Sequence, residues 1–240
     1  MTVLFAPAKL TTSLRVAGVR DDGLHTIDAE MVTVDLYDEL HISDGWGATM
    51  EGPAIGSLDV VDLGDQNLVC RAMRRVGIEH HVRIVKNIPA QAGLGGGSSN
   101  AAAILQWSGY SDVVGAAELG ADVAFCLVGG RARVSGIGEI VEPLPDADRT
   151  FTLFTPPFGC ATPAVYQAWD RLGGPSGEFG NDLEAAAISI EPRMAQWRDH
   201  VASLVGQRPR LAGSGSTWFV EGAFVAEGAV IVRTIAVPNR

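Results

Sequence analysis

The chain has 240 residues, 47% of them hydrophobic, and a formal net charge of −10. That is enough apolar content for a full core, as one large domain or two small ones, and the negative balance argues against nucleic acid or an anionic membrane as partner. No apolar run reaches about 18 residues, no basic-then-apolar leader opens the chain, and Cys70, Cys126 and Cys160 are too scattered for a disulfide framework or a metal site, which together predict a soluble, cytoplasmic protein.

In chain order, the first forty residues read as strands with turns, Asp21-Asp22-Gly23 being a turn signal and 31–36 strand-like. Residues 67–75 are helical in character and 82–88 a strand. A helix follows from Ser98 to about Trp107, then a short one at 113–119. Residues 131–135 and 138–141 look like a hairpin around Gly136, and a boundary is expected at 143–149, rich in proline and aspartate. Beyond it come a strand at 151–155, helices at 163–172, 182–188 and 192–205, and strands at 217–221 and 229–236. Strands and helices in this irregular order predict an α+β fold of two subdomains, 1–145 and 146–240.

The stretch 88–103, IPAQAGLGGGSSNAAA, carries the most information. Gly93, Gly95, Gly96 and Gly97 let the backbone approach a ligand without a Cβ clash. Ser98 and Ser99 before an alanine run mark a helix start, whose unpaired N–H groups form an anion site, most often for phosphate. A flexible linker is disfavoured by the apolar strand before it and the helix former after it. The spacing fits neither a Walker A loop, which needs a Lys-Ser/Thr pair, nor the dinucleotide fingerprint.

Of 18 basic residues only Lys9 and Lys86 are lysine. With arginine covering the generic surface, these two positions are expected to need a compact point charge rather than a planar fork. They and the glycine loop could supply a positive field for an anionic ligand. Asp122, in LGADVAFCL, follows a glycine and precedes an apolar helix; its ordinary role is an N-cap, its sharper one a base held near bound phosphate. LAGSGS at 211–216 is either a plain turn or a second loop of backbone donors.

Pro7-Ala8-Lys9-Leu10, the GLGGGSSNAAA loop, LGADVAFCL and the late LAGSGS turn, in that order, resemble the GHMP small-molecule kinases over nearly the whole chain. DGLHT at 22–26, NLV at 67–69, ATPAVY at 161–166 and NDLE at 181–184 resemble the branch of that family acting on a cytidine-diphosphate alcohol. The resemblance implies two α+β subdomains with ATP and acceptor in the cleft between them. It implies transfer to the 2-hydroxyl of diphosphocytidyl-methylerythritol in non-mevalonate isoprenoid synthesis, with ATP and Mg²⁺ required. Gly93, Leu94, Gly95, Gly96, Gly97, Ser98 and Ser99 would wrap the phosphates, Ser99 also touching Mg²⁺. Asn67, Lys86 and Pro89 would lie on the adenine side. Asp122 would take the acceptor proton, with Lys9 beside it. Thr11, His25, Thr162, Tyr166, Gly213 and Ser214 would hold the acceptor, His25 and Tyr166 facing cytosine.

The chain departs from the family where Thr11 and Thr12 replace an asparagine, Leu24 replaces an aromatic before His25, and Ala124 replaces a proline. The segment before Asp122 is also short. These changes fall mostly on the acceptor side. A kinase for another small alcohol, or a non-catalytic nucleotide-binding relative, therefore stays open, the second disfavoured by the presence of both Lys9 and Asp122. The sequence carries no signal of oligomeric state.

Overall fold

Two long antiparallel strands, β1 (Thr2–Val19) and β2 (His25–Ser43), form the spine of the molecule; the computed structural model describes residues 2–55 and 64–236. The strand-and-turn pattern of the first forty residues thus resolves into one hairpin closed at the Asp21–Gly23 turn, where Gly23 takes φ 82°. Alternation along β1 places Ala8 and Leu10 on one face and Lys9 and Thr11 on the other. Register shifts at Pro7/Ala8 and Thr11/Ser13 bracket this stretch, and such bulges re-aim side chains beside a site.

On its far side β2 pairs with β4 (His81–Val85) and with β5 (Arg131–Gly136). β3 (Gly47–Glu51), which the sequence pattern does not announce, runs parallel to β4, and β6 (Ile140–Pro143) completes a six-stranded sheet. The second sheet has the order β10-β7-β9-β8, from β7 (Thr150–Phe154), β8 (Arg210–Leu211), β9 (Trp218–Glu221) and β10 (Ala229–Arg233). The architecture is mixed α and β, as expected, and the expected boundary at 145/146 falls in the connection between the two sheets.

Helices α1 (Leu68–Val76), α2 (Gly96–Trp107), α3 (Val113–Ala117) and α4 (Ala121–Val128) belong to the first half of the chain. α5 (Thr162–Arg171), α6 (Glu184–Ile190) and α7 (Arg193–Val205) belong to the second. Ala101, Ala102 and Ala103 are buried in a cluster with Val69 and Met73 of α1 and Val123 of α4, small side chains that let three helices approach closely. A second cluster joins Leu14, Ile27 and Met31 to Val165, Ala187 and Met194. A third packs Ala8, Leu10 and Val32 against Phe151 and Phe219 of the second sheet, with Ile88, Ala92 and Leu94 of the glycine stretch between them. The glycine loop therefore emerges from the packed seam between the two sheets.

Candidate active site

The glycine loop is anchored on both sides before it presents anything to a ligand. The Lys9 amide donates to the Leu94 carbonyl at 3.0 Å, and the Thr217 amide to the Ala92 carbonyl at 3.1 Å. Gly93, at φ 78°, lies so close to the late 211–216 turn that a Cβ there would stand 2.5 Å from the Ala212 oxygen and 2.8 Å from that of Gly215. The two glycine-rich turns thus touch through Gly93. Gly95, at φ 68°, is the N-cap of α2, and a Cβ on it would meet Lys9 Cγ at 2.7 Å. The helix begins at Gly96, two residues ahead of the expected Ser98, because this left-handed glycine turns the chain into the helix without a side-chain cap. Its first amides have no acceptor within the helix and point outward.

Two cavities meet there. One, of about 410 Å³, is lined by Asn67, Lys86, Pro89, Gly95, Gly96 and Gly97, among others. The other, of about 650 Å³, is lined by Lys9, Thr11, His25, Tyr166, Gly213 and Ser214, among others. Gly93, Ser98, Asp122 and Thr162 line both. The structure thus brings nearly all the residues singled out in the sequence to one place, sorted into two sides.

At the junction, Lys9 Nζ lies 3.2 Å from Asp122 Oδ2 and donates to Thr11 Oγ1 at 3.1 Å. Lys9 is buried, whereas the Asp122 side chain keeps 33% of its exposure. Gly120, not Asp122, occupies the N-cap of α4, which leaves Asp122 in the first turn with its carboxylate turned to Lys9. Nearby, burial raises the Tyr166 phenol above the ordinary tyrosine range and the Asp122 charge adds to this, so the hydroxyl stays a neutral donor. The Cys126 thiol is likewise raised by burial and by Asp122, Lys9 opposing, which leaves it inert.

At three of the expected positions the geometry differs in detail from the simplest picture. Ser99 does not face the junction: it is buried, its hydroxyl donates to the Pro7 carbonyl at 2.5 Å, and neither cavity includes it. Ser98, one position earlier on the helix, lies where both cavities meet. Leu94 contributes its carbonyl to β1, but its side chain is buried in the core rather than turned to a ligand. Lys86 lines the smaller cavity but is no free cation. Its ammonium pairs with the fully buried Asp38, whose other oxygen accepts the Asn87 and Ile88 amides at 2.8 and 2.9 Å. Both lysines are therefore countered by carboxylates, and the positive field comes chiefly from main-chain amides at the start of α2.

Asn100, inside the alanine run, carries no sign of a special role in the sequence. It is buried, it lines the smaller cavity, and neither its amide nitrogen nor its oxygen has a partner among the described residues. A buried amide is ordinarily hydrogen-bonded, so an unpaired one beside this cavity is an exception in the packing of α2. Asn67 caps α1, its side chain accepting from the Val69 amide at 2.9 Å. On the other side Thr162 Oγ1 and Ser214 Oγ are 2.8 Å apart, and Asn181 holds the 211–216 turn from behind, donating to the Leu211 and Gly213 carbonyls at 2.8 and 2.7 Å.

An amide cradle at a helix start, opening between two cavities and facing a lysine–aspartate pair, defines a small-molecule phosphotransferase site, and the N-terminal domain of GHMP kinases matches residues 67–130. The chain is 36% identical to the 4-diphosphocytidyl-2-C-methyl-D-erythritol kinase of Paracoccus denitrificans (strain Pd 1222), over 98% of this chain and 92% of that protein. A crystal structure of 4-(cytidine 5'-diphospho)-2C-methyl-D-erythritol kinase superposes with a TM-score of 0.72 and 28% identity, over 97% of this chain and 98% of that one. The Methanococcus jannaschii mevalonate kinase shares the fold alone, with a TM-score of 0.56 and 11% identity. This chain belongs to the 4-diphosphocytidyl-2-C-methyl-D-erythritol kinase family.

Proposed function

We propose that this protein is a cytoplasmic kinase that transfers the terminal phosphoryl group of ATP to the 2-hydroxyl of 4-diphosphocytidyl-2-C-methyl-D-erythritol, a step of non-mevalonate isoprenoid precursor synthesis. The observation that carries the reading is the junction itself. Two cavities share Gly93, Ser98, Asp122 and Thr162, with Lys9 3.2 Å from Asp122, so a donor on one side and an alcohol on the other would meet at an acid–ammonium pair.

The smaller cavity takes the nucleotide. Asn67, Lys86 and Pro89 border the adenine side, and the amides of Gly95 to Ser98 receive the phosphates. Ser98 puts a hard hydroxyl oxygen at the phosphate end, which fits Mg²⁺, an ion that would also take phosphate oxygens and waters. When bound, the ion neutralises charge on the phosphates. The larger cavity takes the acceptor. Its cytosine rests against His25 and Tyr166, whose ring centroids are 4.8 Å apart, and Thr11, Thr162, Gly213 and Ser214 line the way to the reacting hydroxyl. Asp122 accepts the hydroxyl proton, and Lys9, held by Thr11, polarises the oxygen beside it. Residues 1–145 hold the nucleotide, and 146–240 complete the acceptor side.

The test is coupled ADP release with 4-diphosphocytidyl-2-C-methyl-D-erythritol against a panel of other small alcohols. A preference in kcat/KM of about 10²-fold or more for the cytidyl acceptor is expected. Equal or better turnover of another alcohol would overturn the acceptor assignment.

A further inference from the structure

Helix α5 places Thr162, Tyr166 and Asp170 at four-residue intervals, so the three fall along one face, and all three line the larger cavity. The third of these, the carboxylate of Asp170, has no part in the chemistry above. Its Oδ1 instead lies 2.8 Å from His25 Nε2. His25 opens β2 just after the hairpin turn, 145 residues away in the chain. Its ring is also fixed by Tyr166, tilted by 34° at 4.8 Å, and by Trp169, edge-on at 5.7 Å. Trp169 is in turn tied by its indole N–H to the Pro175 carbonyl at 2.9 Å. Among the described residues Nδ1 of His25 has no hydrogen-bond partner.

We propose that Asp170 is a positioning residue that makes His25 a reader of the pyrimidine: by accepting Nε2–H it orients the ring and leaves the Nδ1 lone pair for the acceptor's base. This rests on the reading that the base lies against His25. At the 4-position cytosine carries an amino donor where uracil carries a carbonyl acceptor, so a lone pair there pairs with the first and repels the second. A carboxylate hydrogen-bonded to one imidazole nitrogen is a common way to set what the other nitrogen does. The device also bears on Leu24, which stands where an aromatic neighbour of His25 is usual and is half exposed. With no stacking ring at Leu24, discrimination falls to the polar edge that Asp170 holds in place.

Calorimetric binding of cytidine 5'-diphosphate and uridine 5'-diphosphate to the full chain tests this. The wild type is expected to favour the cytidine nucleotide about tenfold, the worth of one hydrogen bond gained or left unpaired. Asp170→Ala, which removes a side chain already 47% exposed, should shrink that ratio to about twofold or less. Asp170→Asn, whose amide oxygen still accepts Nε2–H, should keep most of it. In nitrogen-15 spectra the His25 Nε2–H signal should be protected in the wild type and lost in the alanine variant. An unchanged ratio in Asp170→Ala, or no cytidine preference in the wild type, would overturn the proposal. Failure of the kinase reading would show separately, as cytidine preference without phosphoryl transfer.

Discussion

Lys9 and Asp122 approach to 3.2 Å from opposite sides of the cleft floor, one from a bulged strand and the other from the first turn of a helix. Neither is placed by its neighbours in sequence. Each is placed by the element that carries it, and Gly95 lets the lysine stem pass beneath the phosphate cradle. Replacing Asp122 with Asn keeps the shape and removes the proton acceptor. The expected result is a fall in kcat of about 10²–10⁴-fold with ATP affinity nearly unchanged, read by steady-state kinetics and nucleotide titration. Unchanged turnover would exclude Asp122 as the base.

Gly95→Ala meets two obstacles, a φ of 68° and a Cβ 2.7 Å from Lys9 Cγ. Backbone strain of this kind costs about 1–3 kcal/mol. A displaced Lys9 should also lower kcat, by about 10²-fold for a shift near 1 Å. Calorimetry and turnover should therefore fall together, and a loss of stability alone would mean that the lysine finds another route.

Lys86→Arg tests why this arginine-rich chain keeps a lysine here. The ammonium is buried against Asp38, and a Cβ on Gly96 would lie 2.8 Å from Lys86 Nζ, so the planar guanidinium has no room. Overpacking by about 1–3 kcal/mol is expected, seen as a lower Tm. Lys86→Met strands the Asp38 charge and should cost more, about 3–5 kcal/mol. An arginine variant as stable as wild type would show that the pocket is roomier than its packing indicates.

Glu30 is held by Arg131 of its own sheet and by Arg149, which stands just before β7 of the second sheet, each at 3.1 Å. The hydrogen bond from Arg131, above all, holds its carboxyl below the ordinary glutamate range, with the charges of both arginines adding to this and burial opposing. A carboxyl lowered on folding contributes stability fully above its unfolded value, about 4.3, and loses that contribution as pH falls through the lower folded value. Glu30→Gln should therefore flatten the acid side of a Tm–pH curve while leaving the curve's shape near neutrality unchanged. An equal acid slope in both proteins would count against it.

The parts of this site that read directly from the sequence are those whose chemistry needs neighbouring residues. The run Gly93 to Ser99 announces a cradle because glycines, serines and a helix start must be contiguous to build one. Ser98 and Ser99 could not be ranked that way, since which hydroxyl faces the ligand depends on a helix that starts two residues early. Asp38, Asp170 and Asn100 were invisible for another reason. The two aspartates meet their lysine and histidine across separations of 48 and 145 residues, and an asparagine inside an alanine run looks like any helix position until its amide is seen to lack partners. β3 escaped because it is short and follows a glycine-rich stretch with little alternation.

Leu14, Ile27 and Met31 find their apolar neighbours on α5, α6 and α7, while Phe151 and Phe219 find theirs on Ala8, Leu10 and Val32. Severing the chain between Pro143 and Thr150 would therefore not yield two independent modules. Each fragment would carry a raw, oily wound shaped for the other, and coexpressed pieces should either reunite or precipitate.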